Sequence, residues 1–273
     1  MRTRYPDFKG RRAFSSLGCG EMELHEVDSL AQRHDIGCVE LRVLGAMVDL
    51  PAHFAARYGT PELFAEVTQC FATRMYSLGT SLRLVGHTDA NREAMLAYVP
   101  WAQACGASTL RVFDGGSTGS REEIAEALAT LRWWRQMREA EGWSVDLSIE
   151  THDAFALEDN LLRLLDAEPD CRLLWDAHHT WRKGGTHPSR TWEKIRQRVQ
   201  HIHVKDSVVD PQARLGYVYV LPGDGEFPMN ELMASLYSDE YDGVLSLEWE
   251  RHWHANLPPL DDALAAASQR SWW

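Results

Sequence analysis

Short apolar, β-branched segments recur eight times along this chain, each followed by polar loop residues and a helix-like pattern. This rhythm restricts the fold more than any other feature. The segments fall at Phe14–Leu17, Cys38–Val43, Ser81–Val85, Thr109–Phe113, Val145–Glu150, Arg172–Asp176, Ile202–Lys205 and Val244–Glu248. Their starts lie roughly 25 to 45 residues apart, the spacing of successive βα units. Alternating β and α elements imply a parallel sheet. No Gly-x-Gly-x-x-Gly follows the first segment, so the α/β class expected is a closed (β/α)8, or TIM, barrel rather than a dinucleotide-binding sheet. The 273 residues suit one such barrel, and no linker or low-complexity tract divides them. A single domain over residues 1–273 is expected.

The intervening helices carry start and stop signals. Thr60-Pro61 offers an N-cap with proline at the first helical position, and Gly79 is expected to close that segment. Ser120 and Glu123 have capping-box spacing; Ile124, Leu128, Leu131 and Trp134 follow at helical period, and Gly142 stops the helix.

Composition narrows the class of partner. With 28 basic and 40 acidic residues the formal charge is −12, which repels phosphate backbones, so no nucleic-acid partner is expected. The densest basic stretch, Arg182 to Arg198, is broken by Trp192 and Glu193. The five cysteines form no Cys-x-x-Cys pair, which suggests neither a disulfide framework nor a thiolate zinc site. Met1 to Arg12 is polar and no run of 18 apolar residues exists, so a cytoplasmic protein without a membrane partner is expected. The ending Ser271-Trp272-Trp273 reads as an exposed apolar tail, a hint of a homo-oligomer contact.

Four consecutive segments end in residues able to bind a metal: Ser148-Ile149-Glu150, Leu174-Trp175-Asp176, His201-Ile202-His203 and Ser246-Leu247-Glu248. Strand C-terminal ends of a barrel converge on one mouth, so residues about 100 apart in sequence can meet there. Singly, each acid reads as a helix cap or solvated loop residue, and His203 as a core histidine. Jointly they do not, because each follows an apolar run where a charge is costly unless paired or metal-bound. Three carboxylates and one imidazole suit one divalent metal of the Mn²⁺, Mg²⁺ or Co²⁺ kind, with Zn²⁺ possible. His201 reads as structural. His87, Glu40 and Arg42 are expected to line the mouth as substrate contacts. Asp114-Gly115-Gly116 could cradle a phosphate, although a plain turn explains it as well. Trp175, Trp181, Trp249 and Trp253 read as core or rim packing; a wall for a sugar ring would look the same.

In the order and spacing of Val39-Glu40-Leu41-Arg42, Ile149-Glu150, Asp176-Ala177-His178-His179, His203-Val204-Lys205-Asp206, Gly223-Asp224-Gly225-Glu226-Phe227 and Leu247-Glu248, nearly the whole chain resembles the xylose isomerase-like barrels. These include D-tagatose 3-epimerase and its relatives, hydroxypyruvate isomerase, inosose dehydratase and endonuclease IV. The resemblance implies that Glu150, Asp176, His203 and Glu248 bind the metal and that His179 contacts substrate oxygen. The sugar epimerases also carry a glutamate after the strand-five ligand and an arginine after the strand-seven histidine. Ala156 and Val209 stand at those offsets, so Lys205 and His152-Asp153 are expected to take over substrate contacts.

The chemistry follows from the site type. A metal held by a substrate carbonyl and its neighbouring hydroxyl polarises the carbonyl, and an adjacent carboxylate can remove the α-proton. With Glu150 and Glu248 on opposite sides as catalytic acid and base, the outcome is epimerisation of a sugar or keto-sugar. Return of the proton to the adjacent carbon gives an isomerase, and loss of a β-hydroxyl gives a keto-polyol (inosose-type) dehydratase. An endonuclease IV-like phosphodiesterase needs more metals and a cationic rim.

Overall fold

In β2 (Cys38–Leu41), β6 (Leu173–Asp176) and β10 (Val244–Leu247) every residue is buried, the pattern of parallel strands covered on both faces. A computed structural model, which describes Phe8, residues 10–270 and Trp272, closes these into a barrel with β1 (Arg12–Ser15), β3 (Arg74–Val85), β4 (Thr109–Gly115), β5 (Asp146–Glu150) and β7 (Val199–Val204). The order around the ring is β1-β10-β7-β6-β5-β4-β3-β2, with all eight pairings parallel. The expected (β/α)8 architecture is present.

Seven of the eight strands lie within three residues of their expected bounds. The first ends early because Ser16–Cys19 turns into a buried 3-10 segment, with Ser15 Oγ accepting from the Leu17 amide. The third strand departs most. The helix at Thr60 runs only over Pro61–Thr68, and Gly79 lies inside β3 rather than closing a helix. A Cβ at Gly79 would come within 2.9 Å of Arg42 Cδ and 3.0 Å of Arg111 Nη2, so the glycine makes room for two arginine side chains.

An antiparallel hairpin, β8 (Asp206–Val209) and β9 (Tyr217–Val220), follows β7 outside the barrel. It was not expected, although Tyr-Val-Tyr-Val alternates aromatic and β-branched residues as a half-buried strand does. Trp272 is also a correction. It is 4% exposed and packs on Phe227 at 6.0 Å, so its own chain covers it; Ser271 and Trp273 lie outside the described residues.

The helix Arg121–Glu141 starts and stops as read, with Ser120 Oγ accepting from the Glu123 amide and Gly142 left-handed at φ 68°. The Glu123 carboxylate does not close a capping box; it accepts from the amides of Ser117, Thr118 and Gly119. Asp114 fixes the neighbouring loop. Its carboxylate accepts from the amides of Gly115, His152, Asp153 and Phe155, at 2.7 to 3.2 Å, and so ties the turn after β4 to the loop leaving β5. That arrangement is a plain turn, in which the Asp114 carboxylate and not a phosphate takes the Gly115 amide.

Asp114→Ala orphans four backbone donors. It should cost at least about 3 kcal/mol, since each buried unsatisfied donor costs about 1–3 kcal/mol. Urea unfolding checks this, and a loss under about 0.5 kcal/mol would contradict the assigned role.

Candidate metal centre at the barrel mouth

Register brings the expected ligands together. Asp176 pairs with His203 across β6 and β7, and the Glu248 amide donates to Val204 O at 3.1 Å just beyond β10. Glu150 ends β5 opposite Leu174 of β6. Glu150, Asp176, His203 and Glu248 are all buried, and each offers one donor atom within 4.8 Å of the others. Three of their atoms, Glu150 Oε2, Asp176 Oδ2 and His203 Nδ1, have no hydrogen-bond partner. Three carboxylates and an imidazole converging out of water with these atoms outside any well-formed hydrogen bond are costly unless cations take them up. These residues therefore fit a divalent ion in their number, chemistry and placement.

Glu40 is displaced from its expected role. It lies beneath His203, not on the mouth, and its carboxylate accepts from His203 Nε2 at 2.9 Å and Ser246 Oγ at 2.8 Å. With Nε2 donating to Glu40, Nδ1 is the ring nitrogen turned toward Glu150 and Glu248, at 3.6 and 3.4 Å. A carboxylate behind a ligating imidazole sets its tautomer in this way. Burial alone would depress the His203 pKa, but Glu40 and Glu248 hold it well above the ordinary value, so a cation must displace the Nδ1 proton to gain that nitrogen as a ligand. His201 packs edge-on to Tyr76, and burial pulls it down to about 4, consistent with a neutral structural imidazole.

Charge explains why these acids tolerate burial. Lys205, expected to touch substrate, is fully buried and absent from the cavity wall. Its ammonium lies 2.9 Å from Asp176 Oδ2 and 2.7 Å from Glu250 Oε1, and it bonds Glu248 directly. Arg111 Nε stands 3.3 Å from Glu150 Oε2. Burial opposes ionisation of Glu248, yet Lys205 and His203 keep its carboxyl well below the usual range, whereas burial pushes Asp176 up to about 6. Five carboxylates (Glu40, Glu150, Asp176, Glu248, Glu250) thus crowd around Arg111, Lys205 and His203, and the acids outnumber the cations paired with them.

Above the donors lies a cavity of about 200 Å³, whose wall includes Arg42, Arg111, His152, His179, Glu250 and Trp253, with Glu150 and Glu248 at its floor. His179 stands on this wall, its ring 4.8 Å from that of His152. Its Nδ1 is 3.0 Å from Asp176 Oδ2. His87 does not reach the cavity: its Nδ1 is 3.2 Å from Leu84 O and its Nε2 accepts from Arg92. Trp175 and Trp249 are fully buried packing residues, while Trp253 is the exposed indole of the rim. Arg111 and Glu250 were missed by the sequence reading. A charge inside the apolar strand Thr109-Leu110-Arg111-Val112-Phe113 was the available signal for the first.

A sequence profile described as xylose isomerase-like TIM barrel matches residues 26–272. The chain belongs to the xylose isomerase-like TIM barrel family. No curated protein sequence matches it significantly. Among solved structures it is similar to a probable 3-DHS dehydratase, AsbF, from Bacillus anthracis, with a TM-score of 0.76 at 16% identity over 95% of this chain and 99% of that one. The IolI protein, solved with a zinc atom, gives a TM-score of 0.73 at 14% identity, covering 96% of each chain. A D-allulose 3-epimerase from Methylomonas sp., in complex with D-allulose, gives 0.66 at 16% identity over 97% and 98%. At such identities these neighbours speak for the fold, which other family members share. No helix among the described residues is long and apolar enough to cross a membrane.

Removing Lys205 leaves Asp176, Glu248 and Glu250 uncompensated. Breaking a buried ion pair from one side costs about 3–5 kcal/mol, and Lys205→Met should lose that much stability in urea unfolding. A loss under about 1 kcal/mol would mean that the carboxylates do not depend on this ammonium.

Proposed function

We propose that the protein is a divalent-metal-dependent enzyme that moves a proton at the carbon next to a carbonyl of a small sugar or keto-sugar, as an epimerase or isomerase. The observation that carries the reading is the convergence of Glu150, Asp176, His203 and Glu248, each with an atom within 4.8 Å of the others, beneath a cavity of about 200 Å³. A bound divalent cation supplies Lewis-acid polarisation of a substrate carbonyl. The side chains do the rest. Glu150 and Glu248 reach the cavity floor from strands on different sides of His203, so one can take the α-proton while the other returns one. His179 positions a substrate oxygen, and burial, then the charge of Lys205, keeps its imidazole neutral. The small size of the cavity and the net charge of −12 speak against duplex nucleic acid as substrate.

One observation favours water elimination on the same site. His152 stands on the cavity wall two residues after Glu150, whereas the epimerase-type glutamate is replaced by buried Ala156. Burial alone would lower its pKa, but the hydrogen bond it donates to the Asp153 carboxylate raises it, so His152 can hand a proton to a leaving hydroxyl. In a dehydratase of a keto-polyol the metal donors keep the same roles.

Elemental analysis of purified protein should find about one divalent ion per chain. Asp176→Asn should lose it, and His179→Ala should retain it with a raised KM; equal metal loss in both would make His179 a ligand. In deuterated solvent, a panel of ketoses, 3-keto-sugars and inososes should show wash-in at one α-carbon. Glu248→Gln should slow turnover by about 10²-fold or more, the usual contribution of general acid–base catalysis. Undiminished epimerisation in Glu248→Gln contradicts the two-base scheme, and release of water without an epimer selects the dehydratase.

A further inference from the structure

Arg42 carries a charge that no carboxylate among the described residues pairs with directly, although Glu150 and Glu248 attract it from farther off. It leaves the end of β2 and is 8% exposed. Its Nη2 donates to Ser81 Oγ at 3.1 Å, Nη1 has no hydrogen-bond partner, and no carboxylate among the described residues lies within 4.0 Å of it. Its neighbour Arg111 is answered by Glu150, but Arg42 is not. Gly79 seats both side chains, since a Cβ there would press on Arg42 Cδ and Arg111 Nη2. Two guanidinium groups packed together out of water repel each other and are expensive to keep. Burial, then the charge of Arg111, draws Arg42 down to about 10, as expected of a cation short of counter-charge.

Both arginines line the cavity above the metal donors. Its volume of about 200 Å³ is little more than that of dry cavities of about 150 Å³ that accept one benzene ring, so a six-membered polyol ring is the scale of ligand it admits. A neutral sugar would leave the Arg42 fork without the planar acidic partner it matches best.

We propose that Arg42 is an anion-binding residue of this cavity and that the substrate is a polyhydroxylated carbonyl compound bearing an acidic oxygen group, a carboxylate in preference to the bulkier phosphate. The inference rests on the metal-centre reading for where the carbonyl sits, but the anion contact is made by residues outside the donor set.

The test is binding to the metal-loaded protein by calorimetry, with quinate, myo-inositol and myo-inositol 1-phosphate as probes: one ring size carrying a carboxylate, no charge, or a phosphate. Wild type should bind quinate at least about tenfold more tightly than myo-inositol. Arg42→Met should weaken quinate by about 10- to 100-fold, the range of a lost charge-assisted hydrogen bond, and leave myo-inositol unchanged. Arg42→Lys, which keeps the charge, should retain part of the preference and serves if the methionine variant does not fold. Tighter binding of myo-inositol 1-phosphate, lost in the same variant, would make the anion a phosphate. Equal affinities for acid and neutral rings, equal losses in Arg42→Met, or no binding of either anion overturn the proposal. Metal content measured on the same samples separates this outcome from failure of the metal centre, because Arg42 contributes no donor atom to it.

Discussion

Acidic side chains can be buried at one end of a barrel only if their charges are answered there. The parallel ring imposes this condition, because it brings the C-terminal ends of β5, β6, β7 and β10 to one mouth whatever their separation in sequence. Glu150, Asp176 and Glu248 meet at that mouth, with Lys205 and Arg111 beside them and His203 between. The acids outnumber the cations paired with them, and their atoms lie within 4.8 Å of one another, which leaves a place for one further cation. Most other features of the region serve it: Glu40 and Ser246 fix His203 from behind, and Gly79 admits the arginines in front.

The loops above the ring are held by a device used twice. Asp114 gathers four backbone amides around the loop leaving β5, and Asp206 does the same beside the hairpin, accepting from Ser207, Gly223, Gly225 and Phe227 at 2.9 to 3.0 Å. A Cβ at Gly225 would fall 2.2 Å from Asp206 Oδ1, so glycine is required for that approach. Each aspartate is the partner of loop amides that no neighbouring strand satisfies, and the first also fixes the backbone of His152, which lines the cavity. The hairpin also separates the consecutive histidines of the helix Ala177–Arg182. His178 turns toward Ser207, 2.8 Å from its Oγ, while His179 faces the cavity.

The ring and its four converging residues were legible in the sequence because both rest on local pattern. Apolar runs mark strands, and a charge at the end of such a run marks a place where burial needs a partner. What escaped was what only packing decides. Glu40 and His87 look alike as polar residues near strand ends, yet one lies beneath His203 and the other against Arg92, because side-chain direction depends on the neighbouring strand and helix. Lys205 is two residues past His203 and reads as a mouth residue, but the acids below it draw its ammonium inward. Gly79 looked like a helix stop since its reason, the two arginines on either side, is about 35 residues away in each direction. Trp272 looked exposed because nothing in the sequence shows that Phe227 covers it.

The central claim is that the mouth is a single divalent-cation centre made by four strand ends. A crystal grown or soaked with Mn²⁺ and measured for anomalous scattering addresses it directly. The account predicts one strong peak bounded by Glu150, Asp176, His203 and Glu248, with Nδ1 rather than Nε2 of His203 toward the ion. The absence of a peak there, or a stronger one at the nearby grouping of Asp114, His152 and Asp153, would contradict it.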